Sequence, residues 1–195
     1  MQTSGENVEP ADKGSNSISP WIKWPVVIYL LGWFVWIAME RNFYHNRVPA
    51  QAGIGSITYL NSKTWGFGPG GNETAVVVFK LKQKTTNSLE SSPIQFLDSL
   101  PRNDRRGYRC RNYSGWTETP FLARETDRMV GTVAGKPITL DAMLNRYGFK
   151  IRVPNRISSM IDDAFASEGS YYGGSRCGFF IFVPQKKRGA YIFVG

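Results

Sequence analysis

The chain is short of the residues from which most acid–base and nucleophilic sites are made: its 195 residues include one histidine and two cysteines. The histidine, His45, follows directly on an apolar stretch, which makes it an interfacial residue rather than a general base. With no second histidine, a Ser–His or Cys–His nucleophile is hard to assemble elsewhere. A zinc site of Cys and His type lacks its four ligands, and no metal or cofactor is expected. Two cysteines also exclude a disulfide framework. Cys110 and Cys177 form either one bridge in an oxidising compartment or two thiols in a reducing one. No internal repeat and no sustained heptad is present, which excludes solenoids and coiled coils.

The familiar phosphate and carboxylate motifs are missing too. The glycine-rich stretch 66–72 resembles an anion cradle, but Pro69 removes an N–H donor and a strand follows where a helix would have to open. A turn between two strands is the expected role. Asp162 and Asp163 are adjacent on a predicted helix, so their side chains diverge and suit a solvated face better than a catalytic pair. Glu73, Glu118 and Asp127 would support a carboxylate-based hydrolase only if the fold brought them into one pocket. The absence of such motifs favours a binding role over an enzymatic one and leaves the enzyme question open.

Long apolar runs are likewise scarce, with one exception. Residues 24–39 carry no charge and include Val26, Val27, Ile28, Leu30, Leu31, Phe34, Val35 and Ile37. A transmembrane helix over 21–40 is expected. Its sixteen uncharged residues, at ~1.5 Å each, fall slightly short of a ~30 Å hydrocarbon core. The flanks make up the difference: Trp21, Trp24, Trp36 and Tyr44 as interfacial aromatics, with Lys23 snorkelling outward. A cleaved signal lacks small residues close behind the apolar run. An in-plane helix would need a charged side, and a buried core helix would need a polar face. Residues 1–20, rich in Ser, Gly, Asn, Glu and Pro, read as a flexible tail. Residues 41–53 read as a juxtamembrane linker.

The remaining residues, 54–195, form one basic α+β domain. After position 39 there are 22 basic and 12 acidic residues, a net of about +10. Such a domain is drawn to anionic surfaces: lipid headgroups, nucleic acid or acidic envelope polymers. Strands are expected over 54–60, 75–81, 129–133, 149–153, 178–183 and 190–194, the first two forming a hairpin or long-looped ribbon. About three short helices are expected. One opens at Ser92-Pro93, one is capped by Thr139 with Leu140, Met143, Leu144 and Tyr147 on one face, and one is capped by Asn155 with Ile157, Met160, Ile161, Ala164 and Phe165 buried. Residues 169–174 read as a loop and 101–128 as irregular. Adjacent strands mixed with helices indicate a largely antiparallel sheet.

Two basic clusters carry the functional expectation. Arg102, Arg105, Arg106, Arg109 and Arg111 are interleaved with tyrosines, and guanidinium forks suit phosphate or carboxylate groups. Lys186, Lys187 and Arg188 sit at the tip of the last hairpin. Together they suggest an anion-binding surface on a membrane-anchored binding protein associated with the cell envelope. Its partners would be the bilayer and a protein or anionic polymer. The alternatives are a membrane-anchored hydrolase acting on an envelope polymer, and a cytoplasmic-facing binder of nucleic acid or anionic lipid. Lys13 and Lys23 nearly balance Arg41 and Arg47 across the helix. The potential disulfide and the signal-anchor layout favour a soluble domain on the non-cytoplasmic side. The sequons at Asn72 and Asn112 bear on this only for a lumenal domain.

Overall fold

A strand that is apolar at successive positions has both of its sides out of water. The runs over 75–81 and 178–183 therefore require a sheet covered on both faces. The computed structural model has this architecture and describes residues 20–49, 51–65, 72–100, 113–124, 131–146, 151–175 and 178–195. The chain divides into two compact units, Met1–Glu40 and Arg41–Gly195.

The first unit holds most of helix α1 (Pro20–His45). At ~1.5 Å per residue its 26 residues extend about 39 Å, more than a ~30 Å hydrocarbon core requires. Its apolar side chains are uncovered, with Ile28 65% and Phe34 71% exposed. It is one helix near the N-terminus that is long and apolar enough to cross a membrane. The helix runs past the expected end at residue 40, because Phe43 and Tyr44 continue its apolar pattern and Tyr44 is buried in the second unit.

The second unit is built on a six-stranded antiparallel sheet. Its strands are β1 (Ile54–Trp65), β2 (Asn72–Leu81), β3 (Ser114–Glu118), β4 (Tyr171–Ser175), β5 (Gly178–Val183) and β6 (Arg188–Val194), in the order β1-β2-β6-β5-β4-β3. Because side chains alternate along a strand, β2 sends Ala75, Val77, Phe79 and Leu81 to one face and Val76 and Val78 to the other. Strands β5 and β6 divide in the same way, with Phe180, Phe182 and Tyr191 opposed to Ile181, Ala190 and Ile192. Helices α2 (Gln83–Ser91) and α3 (Pro93–Ser99) contribute Leu89 and Leu97 to the first face. Helices α4 (Leu140–Leu144) and α5 (Asn155–Ala166) cover the second.

The α+β class and the antiparallel sheet agree with the sequence, and several local expectations need correction. Thr139 caps α4 as expected, accepting from the Ala142 N–H at 3.2 Å. Helix α5 starts at Asn155 itself, so its cap position falls to Pro154, which has no side-chain hydrogen bond to offer. Helix α2 was not expected: its buried residues are Thr85, Thr86 and Leu89, too polar a set to register as an amphipathic stripe. Residues 171–175 are strand β4 rather than loop, and β3 lies in the segment read as irregular. No strand includes residues 131–133 or 151–153. The glycine-rich stretch over 66–71 lies outside the described residues.

Candidate anion-binding groove

The site begins with an irregularity in β1. Ile57 pairs with Phe79 and Tyr59 with Val78, so Thr58 is an extra residue with no partner of its own. This bulge turns Tyr59 onto the α5 face, and the Thr58 hydroxyl donates to the Val78 carbonyl at 3.2 Å. The opposite wall is the face of α5 bearing Arg156, Ser159, Met160 and Asp163. Between them lies an open groove of about 680 Å³, which Lys186 and Arg188 also line.

The hairpin tip is held from three sides. Pro184–Lys186 form one turn of 3-10 helix, and Lys187 adopts a left-handed conformation, φ 50°, that redirects the chain into β6. Gln185 donates to the Gly169 carbonyl at 2.7 Å, the Leu81 N–H donates to the Lys187 carbonyl at 3.0 Å, and Lys187 Nζ donates to Gln83 Oε1 at 3.3 Å. The basic triplet is thereby split. Lys187 turns to α2, while Lys186 and Arg188 line the groove.

The charge in and beside this groove is one-sided. Arg188 stands directly opposite Lys80 in the β2–β6 ladder, and like charges so placed repel. Arg156 occupies the first turn of α5, where the helix dipole favours an acid, and that turn contains none. Among the described residues, Lys80, Arg156, Lys186 and Arg188 form no ion pair within 4 Å. Asp163, expected on a solvated face, is the one carboxylate among the described residues that line the groove. Its neighbour Asp162 points elsewhere and accepts the Leu140 N–H at 2.6 Å, its carboxyl pushed above the usual range by burial. Two smaller hollows, of about 310 and 390 Å³, each contain one arginine.

A second polar cluster lies on the other face of the sheet. Tyr44 donates to Glu73 Oε1, and Arg47 Nη1 lies 3.6 Å from Glu73 Oε2 and 3.3 Å from the Tyr191 hydroxyl. The Tyr113 hydroxyl donates to the Arg47 carbonyl at 2.8 Å, and the Arg47 guanidinium lies 4.1 Å from the centre of the Phe43 ring. Burial pushes the Tyr191 phenol up to about 12, with Arg47 opposing the rise, and holds Tyr113 well above its ordinary value. Every polar group in this cluster has a partner within it, which makes it a structural knot rather than an open site.

The remaining expected site residues are scattered. Trp24 and Trp36 are each 68% exposed on α1, whereas Tyr44, expected at the interface, is 2% exposed within the second unit. Tyr44 is drawn there by Glu73. The Trp21 and Lys23 side chains, the arginines 102, 105, 106, 109 and 111, and Cys110, Cys177 and Asp127 lie outside the described residues. Glu73 and Glu118 do not converge: they stand on β2 and β3, with β6, β5 and β4 between them. Glu118 is occupied by the Gly169 N–H at 3.0 Å. His45 is exposed and lies edge-on to Phe79.

Sequence reading overlooked Arg156, Lys80 and the bulge at Thr58. One signal was legible, a basic residue in the first turn of α5 with no acid near it. The Lys80–Arg188 pairing depends on strand register and had none. Comparison with known protein families, characterised proteins and solved structures gave no match.

Proposed function

We propose that the chain is a single-pass membrane-anchored binding protein whose basic domain holds an anionic partner on the non-cytoplasmic side of the membrane. The partner is an envelope polymer or an acidic protein surface. The observation that carries this reading is that Arg156, Lys186 and Arg188 line one groove, with Lys80 paired opposite Arg188 and Asp163 the one carboxylate among the described lining residues. Two of these residues come from the basic tip already evident in the sequence, and Arg156 comes from a different element. Cations brought together from separate parts of a fold in excess of their counter-charge favour an external anion. The uncovered apolar helix α1 supports the anchor.

A hydrolase using Glu73 and Glu118 is disfavoured by their separation across the sheet. A cytoplasmic nucleic-acid binder predicts affinity that falls steeply with salt for any polyanion carrying phosphates.

The test has two parts. The full chain is expected to stay in the membrane fraction through alkaline carbonate washing, and reporters fused after residue 195 are expected to respond outside the cytoplasm. Release by carbonate, or a cytoplasmic reporter signal, refutes the anchor or its orientation. The purified chain in neutral nanodiscs is expected to retain acidic polymers at moderate salt. Failure to retain any polyanion refutes the binding role.

A further inference from the structure

We infer that the hollow of about 310 Å³ bounded by α4 and the ends of β4, β5 and β6 is a site for an amphiphile, with its hydrocarbon chain over Gly174 and Phe179 and its anionic head group at Arg146. The inference is separate from the groove beside α5 and shares with the reading above only the membrane anchor.

Strand register sets the floor of the hollow. Phe179 pairs with Gly174 on one side and with Ile192 on the other, and residues directly opposite share a face. Ile192 belongs to the core under α4 and α5, and Phe179 packs against that core, so Gly174 stands on the same face. A Cβ built on Gly174 meets no heavy atom within 4 Å. A side chain is thus missing where the neighbouring strands supply a phenylalanine and an isoleucine. Phe121 stacks on Phe179 with ring centres 5.1 Å apart, and Val194 and Met143 add aliphatic lining. Phe121, Phe179 and Val194 are only partly buried, so they keep apolar surface in water that a ligand would cover.

This lining suits hydrocarbon. Among the described residues, Ser175 and Arg146 are its polar side chains, and the Ser175 hydroxyl donates to the Gly178 carbonyl at 3.3 Å within its own turn. Polar substituents on a buried ligand would go unpaired there, whereas an alkyl chain has none to satisfy. Arg146 is exposed and is the one charged residue among the described lining. A guanidinium has five N–H donors, enough to meet a carboxylate or phosphate alongside its neighbours in the protein. The volume is at the lower end of the ~300–1,000 Å³ of small-ligand sites, which suits one chain better than two.

The hollow lies at the end of the sheet to which residues 43–47 are tied. Val194 pairs with Thr74, and the adjacent Glu73 accepts from Tyr44 and pairs with Arg47. In an anchored chain those residues follow the span directly, so a bilayer is the near source of such amphiphiles.

The full chain is placed in phosphatidylcholine nanodiscs containing a trace of palmitic acid with a diazirine in its chain, at mildly alkaline pH where the acid is ionised. After irradiation, mass spectrometry maps the labelled peptides. Labelling of α1 reports the anchor, and labelling of peptides carrying Met143, Phe179 or Val194 reports the hollow. Domain labelling is expected in the parent and is expected to be lost in Gly174→Leu, which fills the open space. Arg146→Gln is expected to lower it about tenfold, the loss of a charge-assisted hydrogen bond. The same chain ending in an alcohol is expected to label the domain as weakly as it does in that variant. Lys136→Gln, an exposed cation elsewhere, is expected to change nothing. Arg146 is exposed, so its variant keeps the test valid if Gly174→Leu fails to fold.

A second arm replaces the acid with phosphatidylglycerol carrying the diazirine in one acyl chain. Domain labelling by both probes assigns the site to a chain of a membrane lipid, and labelling by the acid alone assigns it to a free fatty acid. Unlabelled domain peptides beside a labelled α1, or equal labelling in the parent, Gly174→Leu and Arg146→Gln, overturn the inference. Retention of acidic polymers is a property of the other groove and stands or falls separately.

Discussion

The knot around Glu73 allows a quantitative test of how residues 43–47 are tied to the sheet. Glu73 accepts from Tyr44 and pairs with Arg47 at 3.6 Å, with side-chain exposures of 15% and 19% for Glu73 and Arg47. Exposed pairs contribute about 0–1 kcal/mol, whereas breaking a fully buried one costs about 3–5 kcal/mol because the surviving charge is stranded. A pair this enclosed, but longer than ideal and still touching solvent, falls between these limits, at about 2 kcal/mol. Glu73→Gln keeps the size and the acceptor for Tyr44 and removes only the charge, which leaves Arg47 beside Phe43 and Tyr191. For a chain of this size the loss corresponds to a fall of about 4–8 °C in Tm. Thermal unfolding of the full chain in detergent micelles, followed by near-ultraviolet circular dichroism, measures it. Arg47→Met together with Glu73→Gln completes a double-mutant cycle in which the second change is expected to cost much less than it does alone. A loss below about 0.5 kcal/mol for Glu73→Gln, or strict additivity in the cycle, would refute the reasoning and place the pair with ordinary surface ion pairs.

Three further outcomes are expected. Thr74 is fully buried on β2, and its hydroxyl has no hydrogen-bond partner among the described residues. Thr74→Val should therefore be neutral or raise stability by about 1 kcal/mol in denaturant titration, and a clear loss would mean that the hydroxyl is satisfied. Because burial raises the Asp162 carboxyl, its contribution to stability is complete at acid pH and declines as pH rises through the carboxylate range. Asp162→Asn should then be more stable than the parent at neutral pH, with the gap closing on acidification; a gap that widens in acid contradicts the assignment. Tyr191, pushed up to about 12, keeps its proton while the unfolded chain loses it from about 10 upward, so stability declines as pH rises toward 12. Absorbance titration at 295 nm should show phenols that do not ionise before unfolding, and Tyr191→Phe should shallow the alkaline decline.

The sheet's interior was legible where chemistry repeats along the chain. Residues 75–81 and 178–183 are so apolar and so rich in β-branched and aromatic side chains that no other element accommodates them. The cap at Thr139 and the stripe on α5 were equally plain. What escaped depended on neighbours distant in sequence. Strand β4 is glycine-bearing because Trp116 of β3 lies over it: a Cβ on Gly173 would come within 2.8 Å of the indole. Read alone, those glycines signal a loop. Helix α2 buries threonines, one of which, Thr85, donates to the Gly53 carbonyl, and nothing local announces that use. The groove was half visible. The cations at 186–188 stood out, but which of them face outward together, and that Arg156 and Lys80 join them, is decided by the left-handed turn at Lys187 and by the β2–β6 register.

The place of β6 in the sheet has a consequence for how the domain comes into being. Strand β6, which follows β5 in sequence, is inserted between β2 and β5, close to the middle of the sheet rather than at its rim. Until residues 188–194 leave the ribosome or a translocation channel, β2 and β5 each present an unpaired edge flanked by exposed phenylalanines and valines. A growing chain in that condition is prone to pair with its neighbours. The sheet is thus incomplete until this segment is available, when one strand closes both gaps and sets Arg188 opposite Lys80 in the same step. Conditions that delay the arrival of this strand should therefore favour aggregation over folded domain.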